Sequence, residues 1–170
     1  RGLAMTFEDI PNGAAVMLDS NIFVYAFSKH PQLADACREL MDRTDRGEIL
    51  GPTSIHGLSE TAHRLMTLEA CAAFGWPITG IAQRLRRHPQ ELQQLSAYRA
   101  AIEQILNSQV RILAPKPDDV LAAADVSRQH GLLSNDALIV AIMRANGLTN
   151  LASHDADFHR IPGFNQYTPV

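Results

Sequence analysis

The 170-residue chain is 46% hydrophobic and 19% charged, proportions of a folded domain with one good core and not of a disordered segment. Its net charge of -3 excludes a protein that holds nucleic acid by bulk positive charge, because neutralising phosphates takes a surplus of Lys and Arg. No apolar run approaches the roughly 20 residues that span a bilayer, so no membrane partner is expected.

The opening stretch, Arg1 to Met5, lacks the basic, apolar and small-residue order of a secretory signal, and Met5 is read as the natural start. After the turn Pro11-Asn12-Gly13, the run Ala14–Leu18 reads as a short buried strand ended by Asp19. Leu33, Cys37, Leu40 and Met41 recur at helical spacing, and Gly47 closes that helix. Ile49-Leu50, before Gly51-Pro52, is the second-strand candidate. Thr53 or Ser54 then caps a helix whose inner face is Ile55, Leu58, Ala62, Leu65 and Met66. A middle region from Ala70 to Pro89 is broken by Gly75, Pro77 and Gly80, and holds the most basic stretch, Arg84 to His88.

After Pro89 one long helical pattern runs through Leu92, Leu95, Ile102 and Ile105. Val110 to Leu113 predicts a third strand, ended by Pro115 and Pro117. Asp118 and Asp119 favour the first turn of the next helix, and Gly131 stops it. A helix from about Asn135 to Asn146-Gly147, a buried strand at Leu151-Ala152, and an edge strand around Phe164 to Tyr167 complete the pattern. Strands separated by helices predict an α/β fold: a three-layer α/β/α sandwich with a central parallel sheet, in a single domain spanning 1–170. Cys37 and Cys71, each in an apolar helix-like context, are expected to be reduced and buried, as in a cytoplasmic protein.

Ligands of an open parallel sheet bind beyond the carboxyl ends of its strands. Asp19 follows the first strand, Ser153, His154 and Asp155 follow the last, Asp136 opens a helix, and Glu60 lies one to two turns into another. All should meet at one edge. Two carboxylates ~4 Å apart repel by roughly 4 kcal/mol at an effective dielectric near 20, so such a set takes up protons or a cation. Hard oxygen donors suit Mg2+, or Mn2+, better than zinc.

Each acid also has a bland reading. Asp19 and Asp136 (or Asn135) can cap helices, Glu60 can pair with Arg64 at i,i+4, and Asp155 and Asp157 can be ordinary loop acids. His56, His63, His154 and His159 offer no zinc spacing, although His154 is a candidate to touch substrate. Arg84, Arg86 and Arg87 either grip the phosphates of a substrate, are merely solvated, or pair with an acidic partner; Arg64 and Arg144 are placed nearer the site.

Met17 to Phe23, Glu60 within Leu58 to Ala62, Asn135 to Ala141, and Ala152 to Phe158, in that order, resemble the motifs of PIN domains, in particular VapC-type toxins of bacterial toxin–antitoxin systems. The resemblance implies metal-dependent cleavage of RNA that leaves 5′-phosphate and 3′-hydroxyl ends. By position it puts catalytic, metal-binding acids at Asp19, Glu60, Asp136 and Asp155. It makes Asn21, Ser153 and Asp157 their supports, and implies Mg2+, an RNA substrate, a cognate antitoxin and a homodimer. The helical segment at about 70–109 exceeds the usual size of such toxins. A haloacid dehalogenase-type phosphatase would want a second Asp where Asn21 stands. A catalytically inactive PIN-like domain that binds RNA or protein is the other alternative, although no acid of the set is missing.

Overall fold

The computed structural model describes residues 5–170, so Arg1 to Ala4 of the opening stretch lie outside the described residues. Its strands are β1 (Met5–Thr6), β2 (Val16–Leu18), β3 (Thr53–Ser54), β4 (Ile112–Leu113), β5 (Asn150–Ala152) and β6 (Asn165–Thr168). Its α-helices are α1 (Ser20–Phe27), α2 (Ala34–Asp45), α3 (Ile55–Phe74), α4 (Ile81–Arg87), α5 (Pro89–Leu92), α6 (Ala97–Leu106), α7 (Pro117–His130) and α8 (Ser134–Ala145). Two single 3-10 turns cover Phe7–Asp9 and Ala156–Arg160.

Every strand pair is parallel, in the order β1-β6-β5-β2 with β3-β4 as a second ladder. The two ladders are laced together. Val16 N and Leu18 N donate to the carbonyls of Leu50 and Pro52, both at 2.8 Å, and Thr53 Oγ1 donates to Leu18 O at 2.8 Å.

Alternation along β2 and β5 divides the core between two layers, because successive side chains point to opposite faces. Val16, Leu18 and Ala152 pack with Phe23 of α1, Leu40 of α2, Leu58 of α3 and Ile105 of α6. Met17 and Leu151 pack instead with Ala123 and Val126 of α7 and with Val140 and Met143 of α8. Strands covered on both faces read as unbroken apolar runs. The central parallel sheet flanked by helices is the predicted sandwich.

The second strand forms at Thr53–Ser54, not at Ile49-Leu50, where the pairing is an isolated bridge from Ala15 to Leu50. Gly51 fixes that crossing: a Cβ there would lie 2.5 Å from Thr44 Oγ1 and 3.0 Å from Leu18 Cδ1. The C-terminal strand is not an edge strand, because β1 covers it on the outside. Cys37 is buried, which pushes its thiol up to about 12 and leaves it inert, whereas Cys71 is half-buried. Among the described residues, no helix is long and apolar enough to cross a membrane.

The long helix expected after Pro89 is broken between α5 and α6. The cause is Glu69 on α3. Its carboxylate accepts from the backbone N–H groups of Ser96, Ala97 and Tyr98, each at 2.9 Å, and so caps α6 from a neighbouring helix. Partial burial alone would raise the Glu69 carboxyl, but these three donors outweigh it and hold the group below its ordinary value. Glu69 thus stabilises the fold above pH 4.5, and that contribution fades as pH falls through its lowered value. Glu69→Ala should cost about 1 kcal/mol and lower Tm by roughly 2–4 °C at pH 7. Urea titrations at descending pH should show parent and variant converging in acid; equal stability at pH 7 would exclude the cap.

Candidate functional site

Three chain segments end at the carboxyl edge of the sheet, and each delivers acidic groups. Asp19 follows Leu18 at the end of β2 and is only 6% exposed. Its Oδ1 caps α1 by accepting from Ser20 N at 2.7 Å. Its Oδ2 accepts from Asn21 Nδ2 at 2.7 Å and from Ser153 Oγ at 2.6 Å. The capping role and the buried position coexist. Burial pushes the Asp19 carboxyl up to about 6. The hydrogen bonds from Ser153 and Ser20 oppose the shift, and the charges of Glu60 and Asp155 reinforce it.

Ser153, fully buried after β5, is the hub. Its hydroxyl donates to Asp19 and accepts from Asp155 N at 3.1 Å and from Asn21 Nδ2 at 3.2 Å. Asn21 Oδ1 accepts from His154 N at 3.3 Å, which closes a ring of bonds between the starts of α1 and of the loop after β5. Asp155 caps the 3-10 turn by accepting from Asp157 N at 2.9 Å.

Asp136 lies in the first turn of α8, half-buried. Carboxylate oxygens of Asp136, Asp155 and Asp157 all lie within 4.8 Å of one another. Burial first, then the charges of Asp155, Asp19, Glu60 and Asp157, raises Asp136 to about 6. Glu60 projects from α3, half-buried, and its charge is felt at both Asp19 and Asp136. Among the described residues no ion pair joins Glu60 to Arg64. Among the described residues, the one ion pair on the cluster is from Arg160, whose Nη2 lies 2.8 Å from Asp157 Oδ1. Negative charge is therefore concentrated, partly desolvated and scarcely balanced. Hard oxygen donors at this spacing fit a divalent cation.

Other residues fall elsewhere. Arg84, Arg86 and Arg87 sit on α4, which packs beside the later turns of α3 around Ala70, ten residues along that helix from Glu60. Arg144 ends α8, two turns from Asp136, so it is not near the cluster. His154 is exposed and meets Tyr25 edge-on at 5.8 Å. Gln166 of β6 carries no motif, and no signal in the sequence marks it. Its side-chain amide donates to Ser153 O at 3.0 Å and Asp155 O at 2.7 Å, bracing the acidic loop from beneath.

With both Asp19 and Asp136 raised above their unfolded values, the stability they contribute is present below about pH 4 and lost as pH rises through about 6. In the presence of a chelator, the parent should therefore be more stable at pH 5 than at pH 8. Asp136→Asn should exceed the parent at pH 8 by on the order of 1 kcal/mol, once solvent screening is allowed for. The gap should close below pH 4. Chemical denaturation across this range reads it, and a variant less stable than the parent at pH 8 would refute the charge-strain account.

Residues 16–163 match the PIN domain family. Among proteins of curated function, no sequence matches significantly. The chain is similar in structure to VapBC2 from Rickettsia felis, solved with a DNA fragment from its promoter, at 19% identity and TM-score 0.59, covering 92% of this chain and 99% of that one. It is similar to VapC20 of Mycobacterium tuberculosis, a sarcin-ricin loop cleaving toxin, at 20% identity and TM-score 0.62, covering 88% and 97%. A toxin–antitoxin complex from Klebsiella pneumoniae matches at 19% identity and TM-score 0.50, covering 91% and 98%. At these identities the likeness in structure establishes the fold, and the family match over most of the chain settles the rest: this protein belongs to the PIN domain family.

Proposed function

We propose that the chain is a Mg2+-dependent endoribonuclease, the toxin of a type II toxin–antitoxin pair, acting as one nuclease domain over residues 1–170 with 70–109 as its enlargement. The observation that carries the reading is the convergence of Asp19, Glu60, Asp136 and Asp155 at one sheet edge, with Asp157 completing a three-carboxylate cluster within 4.8 Å. The similarity to a toxin that cleaves the sarcin-ricin loop supports RNA as the substrate, and the similarity to toxin–antitoxin complexes supports an antitoxin partner.

Asp19 and Asp136 would hold the ion with help from Asp155 and Glu60, and Asp157, whose carboxylate lies within 4.8 Å of those of Asp136 and Asp155, stands beside them. Mg2+, or Mn2+, would supply Lewis acidity and a water of lowered pKa at a phosphodiester. The chain itself supplies position. Ser153 and Asn21 hold the Asp19 carboxylate by donating to it, Asp157 N orients Asp155, and Gln166 fixes the turn between Ser153 and Asp155. His154 is exposed beside this ring and has room to meet substrate. The reading includes a homodimer in the cytoplasm; sedimentation at monomer mass would remove that part.

Purified protein should cut a sarcin-ricin stem–loop RNA in Mg2+ and not in chelator. Asp19→Asn and Asp136→Asn should each reduce cleavage at least ~100-fold, on the scale of losing a group that acts in the transition state. Mg2+ should raise the Tm of the parent and leave these variants unmoved. Full activity in either variant, or phosphomonoester turnover in place of RNA cleavage, would sink the reading. Gln166→Leu leaves two carbonyls without their donor. It should cost about 1–3 kcal/mol in stability and raise the Mg2+ concentration for half-maximal cleavage several-fold. An unchanged Mg2+ requirement would show that the brace is structural only.

A further inference from the structure

Six of the twelve arginines among the described residues are neutralised where they stand: Arg38, Arg43, Arg46, Arg99, Arg128 and Arg160 each face a carboxylate within 4.0 Å. Arg64, Arg111 and Arg144 have no such partner but stand singly at scattered positions, whereas Arg84, Arg86 and Arg87 lie together on α4, all three exposed and none with an acidic partner among the described residues. Their helix is nevertheless anchored. Ile81 and Leu85 are buried against Ala70 of α3 in a small satellite core, and the helical period turns the arginines outward.

The guanidinium of Arg84 lies 5.4 Å from the centroid of the Trp76 ring. Trp76, half-buried, packs in a tilted arrangement against Phe74 at 4.8 Å and His88 at 5.1 Å between ring centroids. His88 is itself tied back, its Nδ1 2.8 Å from Arg84 O. A cation held over an aromatic face loses less freedom on meeting a second partner. Interleaved arginines and rings are what a nucleic-acid strand engages, through phosphates and base faces together.

We infer that α4 and Trp76 form a second RNA contact, distinct from the cleavage cluster, that grips the phosphate backbone and supplies the substrate affinity that the acidic site opposes. This rests on the ribonuclease reading. The acidic edge repels phosphates, and a chain of net charge -3 has no general attraction for them. Ten residues of α3 separate Glu60 from Ala70, so the arm lies roughly 15 Å along that helix from the acids. At ~3.4 Å per stacked nucleotide, that spans about four or five steps of one strand. An acidic partner protein would also be drawn to three free arginines, but it has no use for the adjoining rings, which is why RNA is favoured.

The test uses the full chain, a fluorescein-labelled sarcin-ricin stem–loop RNA in chelator, and the same RNA unlabelled in Mg2+. The triple variant R84Q/R86Q/R87Q should raise the anisotropy Kd and the KM at least tenfold. It should cut the slope of log Kd against log salt by about 2, from three phosphates at ~0.7 each, and leave kcat within about twofold. R84K/R86K/R87K, which keeps the charge, should recover most of the affinity, and both variants should keep the parent's circular dichroism and Mg2+-induced Tm shift. Unchanged Kd and salt slope overturn the inference while the nuclease reading stands. Weakened binding of a polyglutamate probe with RNA binding unaltered assigns the arm to an acidic protein, and also overturns it. Arm-dependent binding without any cleavage by the parent removes the nuclease reading and keeps the arm. Neither binding nor cleavage by the parent removes both.

Discussion

The rest of the site depends on a carboxylate that is buried at the end of a strand and kept there by four donors. Asp19 is withdrawn from water, which favours its neutral form, while Ser20, Asn21 and Ser153 present hydrogens that favour the charged one. Desolvation wins in part, and the group sits near 6. The same donors are committed elsewhere as well. Ser153 also receives the Asp155 N–H, and Asn21 also receives that of His154. The position of Asp19 is thus transmitted to the loop carrying Asp155, and through the charges there to Asp136. A shared network of this kind rigidifies because each member is satisfied only when the others are in place.

Three layers, the parallel pairing and the burial of β2 and β5 were legible because they rest on periodicity. Met17 and Leu151 fall to one face and Val16, Leu18 and Ala152 to the other by a rule of two. The four acids were legible one at a time as residues after strands and at helix starts, and as a set through the family motifs. What escaped was decided across space. The break before α6 comes from Glu69, 27 residues earlier in the chain, so no window around Gln93–Ser96 reveals it. The Glu60–Arg64 spacing invited an ion pair, yet Glu60 serves the acidic edge and the pair does not form. Arg144 is close to Asp136 in sequence and distant in the fold, because an α-helix carries its two ends apart at ~1.5 Å per residue. Gln166 was invisible for a different reason: a single polar residue in a tail is noise until its neighbours are known.

Charge is distributed unevenly, and the division has a physical logic. Burial first, and then the charges of neighbouring acids, disfavour the ionised forms of Asp19 and Asp136 and raise both carboxyls to about 6. Nearby lysines or arginines would relieve this repulsion, but would also cancel the negative field of the cluster. Among the described residues only Arg160 forms an ion pair with the set, and it meets Asp157, the member that also lies farthest along the loop. Positive charge is admitted at a distance instead, on α4, where it stands clear of the acids along the length of α3. Separating the two keeps each from cancelling the other.

The last strand in the chain also has a part in this arrangement. β6 lies between β1 and β5, so it pairs with residues near both ends of the sequence: Ala152 faces Tyr167, and Met5 faces Tyr167 from the other side. Gln166 leaves that strand with its amide on Ser153 O and Asp155 O, and its Oε1 buried without a protein donor. Asp19, at the end of the first inner strand, therefore meets a loop that is braced by the C-terminal strand. Closing a sheet through contacts of such long sequence separation carries a loop-closure entropy cost, and the edge so formed holds mutually repelling charges together.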